Sequence, residues 1–298
     1  MRGTKREIQV SLVLLFGCAL LFAIGCGGKK ALWGNPKTGY VLTYRLDPNQ
    51  KWSYKTSSKQ GSEMEMMGQP MITQSAVDVH YTLEGNETDP EKNLLTTVTL
   101  DSLGFYMKSA QGEKNIDLGP LFGKQFGLTL TALGDEAEFT GIDTLPQVDF
   151  GQMAGGMRTA KSFFQDPFPD LPKTPVKIGD TWTDTKNLTQ NQSGMDVIVN
   201  KESENKVIAS ELIDGVECLK IQSKIKGTLD GKGKQMGMDM AFEGDMEADS
   251  EWFFAYKKGA LMRISTDQIL EATIAVSGQA NMTIPLIQES NTTIKLVR

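Results

Sequence analysis

Alternation of apolar and acidic side chains along one long stretch is the feature that most constrains the fold of this chain. Between Met236 and Tyr256 the even-numbered positions carry mainly Met, Ala and aromatic residues, whereas the odd-numbered positions from Asp239 to Glu251 are acidic except Ala241. Side chains that repeat with a period of two lie on opposite faces of a β-strand. The stretch therefore predicts a long strand with one dry face and one wet face, as in antiparallel sheets.

A straight strand of this length would span about 70 Å at ~3.3 Å per residue, which is too long to stay flat. We therefore expect strong curvature, or a bulge at Gly244 where the ladder is weakest. A three-residue loop near Gly244 would also preserve the alternation, and this alternative stays open.

The preceding segment, residues 216–229, is the predicted partner of this strand. A two-residue turn at Gly231 and Lys232 would place Lys224 opposite Asp239, with apolar side chains facing each other on the other side. A slip by one residue would break both patterns, so the sequence predicts an antiparallel hairpin in this register.

Period-two alternation recurs at residues 77–84, 262–276 and 282–296. The one predicted helix lies within residues 146–164, where Phe150, Met153, Met157 and Phe164 recur at helical spacing. A Pro-rich connector follows it at residues 166–172.

These patterns predict a mainly β (α+β) fold. Long, curved antiparallel strands would form an unclosed barrel or sandwich with one short covering helix. Residues 38–298 would form a single β-rich domain in two halves, 38–145 and 174–298, joined by a helical and Pro-rich crossover at 146–173.

The first 25 residues have the three parts of an export signal: a basic start, an apolar run at residues 10–24, and small residues before Cys26. The apolar run is shorter than the ~20 residues that a membrane-spanning helix needs. Residues 22–26 (FAIGC) resemble the lipobox of bacterial lipoproteins, in which the cysteine becomes the lipidated first residue. We therefore predict a signal peptide at 1–25 and a tether at 26–37 that carries lipid, such as palmitate, on Cys26.

Two alternatives to this N-terminus stay open. Residues 15–18 (LFGC) also fit a lipobox, and the segment could be an uncleaved anchor or an ordinary secretory signal. No Asp follows Cys26, which by resemblance to enterobacterial sorting favours the outer membrane of the bacterial cell envelope.

Composition excludes several function classes. The formal net charge of −6 argues against nucleic-acid binding, which needs a basic surface. The single histidine, His80, leaves little room for metal or triad chemistry, and we interpret it as an exposed residue of a strand. Cys218 lies in a strand-like run, which predicts a packed thiol and not a nucleophile. We expect no catalytic residue, metal or cofactor.

Three local patterns have a chemical and a structural interpretation. The Met clusters around residues 64–71 and 236–240 could bind Cu(I), but an adaptable apolar surface is the simpler interpretation. The acidic ladder lacks the convergent oxygens that calcium needs, so it predicts a solvated face. Residues 119–125 (GPLFGKQ) lack the spacing and the Ser or Thr of a phosphate loop.

Residues 175–182 (PVKIGDTW), preceded by residues 126–131 (FGLTLT) and Gly134, resemble uncharacterised bacterial envelope proteins of the DUF6263 type. That family implies an envelope location and supplies no catalytic residues. The expected architecture is also similar to LolA-like lipoprotein carriers, as an analogy of fold alone.

We therefore expect a lipid-anchored, non-enzymatic envelope protein that binds a hydrophobic or amphipathic ligand on the Met- and aromatic-lined face of the sheet. The candidate lining residues are Met238, Met240, Phe242, Trp252 and Phe254. A structural or interaction module of an envelope protein complex is the alternative, and an enzyme is the third hypothesis.

Overall fold

The computed structural model describes residues 33–66, 68–150, 157–164, 166–192, 195–235, 238–278 and 281–297. Strands dominate it. They are β1 Gly34–Asn35, β2 Gly39–Tyr40, β3 Lys51–Met66, β4 Gln69–Thr88, β5 Leu94–Ser109, β6 Gly112–Ile116, β7 Gln125–Leu130, β8 Glu136–Thr140, β9 Val148–Asp149, β10 Met157–Arg158, β11 Thr181–Gln192, β12 Met195–Ile213, β13 Val216–Gln235, β14 Met238–Ala255, β15 Ala260–Ser277 and β16 Met282–Leu296.

Twelve of these strands form one antiparallel sheet in the order β11-β12-β13-β14-β15-β16-β3-β4-β5-β7-β8, with β6 paired to β5 off this path. The sheet consists of two meanders, β3–β8 and β11–β16, which join where β16 pairs with β3 from Leu286–Met64 to Leu296–Tyr54. It is open, since β11 and β8 are edge strands. The prediction of a mainly β fold with long antiparallel strands that do not close is confirmed.

The sheet curls strongly. Eleven strands spaced ~4.8 Å apart would hold the two edges of a flat sheet about 48 Å from each other. Yet the ammonium of Lys186 on β11 lies 3.9 Å from a carboxylate oxygen of Glu136 on β8. The face enclosed by this curvature, which carries Trp252, is called the inner face below, and the face that carries Asp249 is called the outer face.

The predicted covering helix is wrong. The described residues contain only short 3₁₀ helices, at Gly119–Leu121, Ile142–Thr144 and Ala160–Phe163. Where the helix was expected, β9 pairs with β10, while Met153 lies outside the described residues. Phe150 and Phe164 are both buried, but Met157 is 51% exposed, so they do not form one helical stripe. Each aromatic ring is buried separately in the sheet's core, and this packing replaces the helix.

An aromatic core fills one end of the enclosed space. The segment before β3 runs through it, with Tyr40, Leu42, Tyr44 and Leu46 buried at alternate positions. The ring of Tyr44 lies 5.2 Å from that of Phe254 and 5.7 Å from that of Phe168, between centroids. The backbone of the same segment bonds to both meanders, at Ala132 and Gly259. The two meanders therefore share one core.

The β13–β14 hairpin forms as predicted, but in a different register. Lys224 lies opposite Asp249 and not Asp239, and Gln235 pairs with Met238, so that only residues 236 and 237, outside the described residues, separate the strands. The shift is an even number of positions, which keeps every side chain on its expected face. Gly231 is a ladder residue opposite Phe242 and not a turn residue.

Gly244 also has a different role from the one expected. The ladder continues through it to Leu229 and Ala272, and the irregularity of β14 lies at Phe253–Phe254 instead of at Gly244. A Cβ atom on Gly244 would come within 2.7 Å of the Cβ of Ala272. Glycine is needed here because the two strands approach too closely for a side chain.

We predict that the register of β13 and β14 can be read by cross-linking. The pair Lys224→Cys and Asp249→Cys should oxidise to a disulfide, because opposed residues in a ladder lie within reach of one. The control pair, Lys224→Cys and Asp239→Cys, should not, since its members are separated by about 33 Å along the strand. Non-reducing electrophoresis with peptide mapping measures both, and preferential cross-linking of the control pair would contradict this register.

Candidate functional site

A cavity of about 750 Å³ lies against the inner face of the second meander. Strands β11 to β16, β3 and β4 contribute to its wall, and residues of the crossover between the meanders, including Phe163 and Phe168, cover one side of it. This volume is within the range of small-molecule sites, which is about 300–1,000 Å³. The cavity is therefore the candidate site.

The structure brings two of the five predicted lining residues to this cavity. Phe242 and Trp252 line it. Met238 and Met240 lie further along β14, are half-buried, and are not among its lining residues. Phe254 is fully buried in the aromatic core against Tyr44.

One end of the cavity is apolar. Met246, Leu270, Ala272 and Leu286 form a buried cluster there, against which other apolar side chains of β3, β13, β14 and β15 pack. Phe242 belongs to this group and lines the cavity together with Leu229. Here the sequence prediction of an apolar inner face is correct.

A row of uncharged polar side chains crosses the middle of the inner face, and sequence reasoning missed it. Its members, called the polar belt below, oppose one another in the ladder: Asn205, Ser223, Ser250, Thr266, Thr292 and Ser58. Each of these six strands contributes one residue to the row. The sequence of a single strand does not reveal this row, because its members become neighbours only when the strands pair in the observed register.

The polar belt is internally hydrogen-bonded. The indole Nε1 of Trp252 donates to the Ser223 hydroxyl at 2.8 Å, and that hydroxyl donates to Asn205 Oδ1 at 2.5 Å. The hydroxyls of Ser250 and Thr266 are 2.6 Å apart. Because buried polar groups are costly without partners, these bonds explain how the belt can lie inside the sheet.

Next to the belt, the strap, residues 166–171, bridges the two sheet edges through buried charges. Lys186 of β11 contacts Asp166 of the strap and lies 2.8 Å from an oxygen of Asp170. Lys201 of β12 also pairs with Asp166. On the opposite edge, Glu136 of β8 accepts a hydrogen bond from the backbone N–H of Phe168 at 3.3 Å.

Two carboxyl groups of this ion cluster have displaced pKa values. Burial raises the pKa of Glu136 to about 7, although Lys186 opposes the shift. Burial, together with a hydrogen bond to Asp184, raises the pKa of Asp170 to about 8, again against the pull of Lys186. Both groups therefore change protonation state near neutral pH.

Other candidate groups have structural roles. Burial raises the pKa of the Cys218 thiol to about 11, and the thiol packs against Phe253 and Met262, as expected for a packed cysteine and not a nucleophile. His80 is half-buried and its Nε2 lies 3.0 Å from the Ser53 hydroxyl, so it is less exposed than predicted.

In the described part of the chain, no group of three or more His, Cys, Asp or Glu side chains could hold a metal ion. Across the same residues, no helix is long and apolar enough to span a membrane. The predicted lipidation residue, Cys26, lies outside the described residues, as do Met67 and Met236 of the Met clusters.

Comparison with known proteins gives only distant structural similarity. No family model and no curated protein matches this chain. A Bacteroides fragilis protein with a YmcC-like fold is 7% identical over 87% of this chain and 98% of its own, with a TM-score of 0.20. Salmonella typhi OmpF in complex with daunomycin is 8% identical over 84% of this chain and 100% of its own, with a TM-score of 0.22. Scores this low support no statement about the fold or the function of this chain.

We predict that the protein is more stable at pH 6 than at pH 8. Because the pKa values of Glu136 and Asp170 are raised, the folded state binds more protons than the unfolded state between about pH 4 and pH 8. The free energy of unfolding therefore falls as the pH rises through that window. The loss from pH 6 to pH 8 should be on the order of 2 kcal/mol, measured by urea unfolding. Asp170→Asn should reduce this dependence, and equal or greater wild-type stability at pH 8 would contradict the assignment.

Proposed function

We propose that this protein is a lipid-anchored, non-enzymatic component of the bacterial cell envelope that binds a hydrophobic or amphipathic ligand. The observation that carries the proposal is the cavity of about 750 Å³ on the inner face, with an apolar end and a polar side. A cavity with these properties is the usual form of a small-molecule site. Of the five candidate lining residues, Phe242 and Trp252 line this cavity.

Binding would be driven by removal of apolar ligand surface from water. Each Å² contributes ~25 cal/mol before the cost of ordering the ligand. Met246, Leu270 and Phe242 supply the apolar contacts, and the polar belt supplies hydrogen-bonding groups beside them. The ligand would thus be oriented along the strands, with its apolar part toward Phe242.

The proposed anchor depends on the sequence. Cys26 in the FAIGC run would carry the lipid, and the absence of Asp after it favours the outer membrane. The resemblance of residues 175–182 to DUF6263-type envelope proteins supports the same location. In the fold, this motif is the turn that leads into β11, where Asp180 accepts a hydrogen bond from the backbone N–H of Lys177 at 2.8 Å.

The alternative, an interaction module of an envelope complex, is favoured by one observation. Three isoleucines on the outer face are unusually exposed: Ile72 at 56%, Ile269 at 49% and Ile287 at 51%. They line a hollow whose other residues are largely polar and charged, such as Lys226 and Glu247. Exposed apolar groups with a polar rim are typical of protein interaction surfaces.

We predict that Ala248→Trp abolishes ligand binding. Ala248 lines the cavity, so an indole there would occupy ligand volume. Asp249→Trp is the matched control, because the neighbouring position is exposed on the outer face. Fluorescence titration with N-phenyl-1-naphthylamine, an apolar probe, should show saturable binding to wild type and to Asp249→Trp only. If wild-type protein does not bind this probe, or if Ala248→Trp binds it equally well, the cavity is not the site.

We predict that Cys26→Ser releases the protein from the membrane. The substitution removes the thiol that would be acylated, whereas Cys18→Ser, the matched control, leaves it in place. Labelling of cells with an alkyne analogue of palmitate, followed by membrane fractionation, measures both. Label that persists in Cys26→Ser, or label lost only in Cys18→Ser, would refute lipidation at Cys26.

A further inference from the structure

We infer that the ligand of this cavity is a single-chain amphiphile whose head group is uncharged and rich in hydrogen-bonding groups, as in an alkyl glycoside. The inference rests on the proposed ligand-binding function and specifies the chemical class of the ligand. It depends on three properties of the cavity wall: free amides, charges that already have partners, and the position of the apolar end relative to the amides.

Three glutamine side chains supply free hydrogen-bonding groups. Gln60, Gln268 and Gln288 line the cavity from β3, β15 and β16, and each is half-buried. Gln268 and Gln60 lie in one row of the ladder, each directly opposite Ser290. Among the described residues, none of the three amides has a hydrogen-bond partner. An amide offers two donors and one acceptor, so the three together can bind several hydroxyl groups.

The Tyr81 hydroxyl adds a further polar group at the same cavity. It is buried and interacts with the Thr56 side chain, but no group in the described part of the chain meets strict hydrogen-bonding geometry to it. A neutral hydroxyl of this kind is satisfied by another hydroxyl or an amide as well as by an ion. Uncharged ligand groups would therefore satisfy all four of these polar side chains.

The charged side chains of the wall are already engaged with one another. Asp166 pairs with both Lys186 and Lys201, and one carboxyl oxygen of Asp170 pairs with Lys186, whereas the Oδ1 of Asp170 has no hydrogen-bond partner among the described residues. The guanidinium of Arg158 lies 4.9 Å above the ring of Phe150. An ionic head group would have to break one of these contacts or remain buried without a counter-charge, and both are costly.

The apolar end lies at a distance that suits a single extended chain. Gln268 and Ile274 share the inner face of β15 and are six residues apart, which is about 20 Å along a strand. Leu270 lies between them on the same face. A head group on Gln268 would thus place one alkyl chain along Leu270 toward Phe242, the residue that pairs with Ile274.

Three probes with the same decyl chain test the inference: decyl glucoside, decanoate and decylammonium, titrated by calorimetry below their micelle concentrations. We expect decyl glucoside to bind at least tenfold more tightly than either ion. Gln268→Leu should remove most of this preference while retaining binding of the chain. Gln222→Leu, on the exposed outer face of β13, is the matched control and should behave like wild type.

A reciprocal variant separates a specific role from a folding defect. Gln268→Glu places a carboxylate among the amides and should shift the preference toward decylammonium, with an unchanged thermal transition. If all three probes bind equally, or an ion binds best, the head-group inference fails while the ligand-binding function stands. If none of the three binds, both the inference and the proposed function fail.

Discussion

The two edges of the sheet meet in an ion cluster, and this meeting encloses the space on the inner face. A sheet of this width leaves two unpaired edges, and its strands are too long to remain flat. Here the edges do not pair with each other. Instead, Lys186 of β11 meets Glu136 of β8 and the carboxylates of the strap between them. Side chains thus join the edges without backbone pairing, and the inner face encloses a volume that a flat sheet would expose.

The same cluster sets the electrostatics of the enclosed space. A buried ion pair contributes little net stability, because desolvation offsets attraction, but removal of one partner leaves an uncompensated charge. Glu136 and Asp170 respond to this environment with raised pKa values, which lets them lose charge near neutral pH. Asp166 and Asp170 also line the cavity. The same carboxyl groups therefore join the sheet edges and contribute to the electrostatic potential of the cavity.

The layers of the inner face follow from the register. Along β14 the same face carries Trp252, then Ser250 of the polar belt, then Met246 and Phe242 of the apolar end. Neighbouring strands repeat this order, which gives an aromatic core, a polar band and a second apolar region. Most residues of the middle band line the cavity.

Alternation in the sequence determined which face each side chain of β13 and β14 occupies, because a period of two survives any even shift of register. It did not determine the position along the strand, so Lys224 opposes Asp249 and not Asp239. Helical spacing of Phe150 and Phe164 was misleading for a similar reason, since local periodicity cannot show that each ring packs separately against distant strands.

The sequence by itself therefore determined the fold class and which side chains of the long strands share a face. These are local properties, fixed by alternation and side-chain chemistry. Only the tertiary structure decided the polar belt, the free amides and the ion cluster, because each combines single residues from strands far apart in sequence. Lys186 and Glu136 illustrate this: they lie at opposite edges of the sheet, and only its curvature brings them within 3.9 Å.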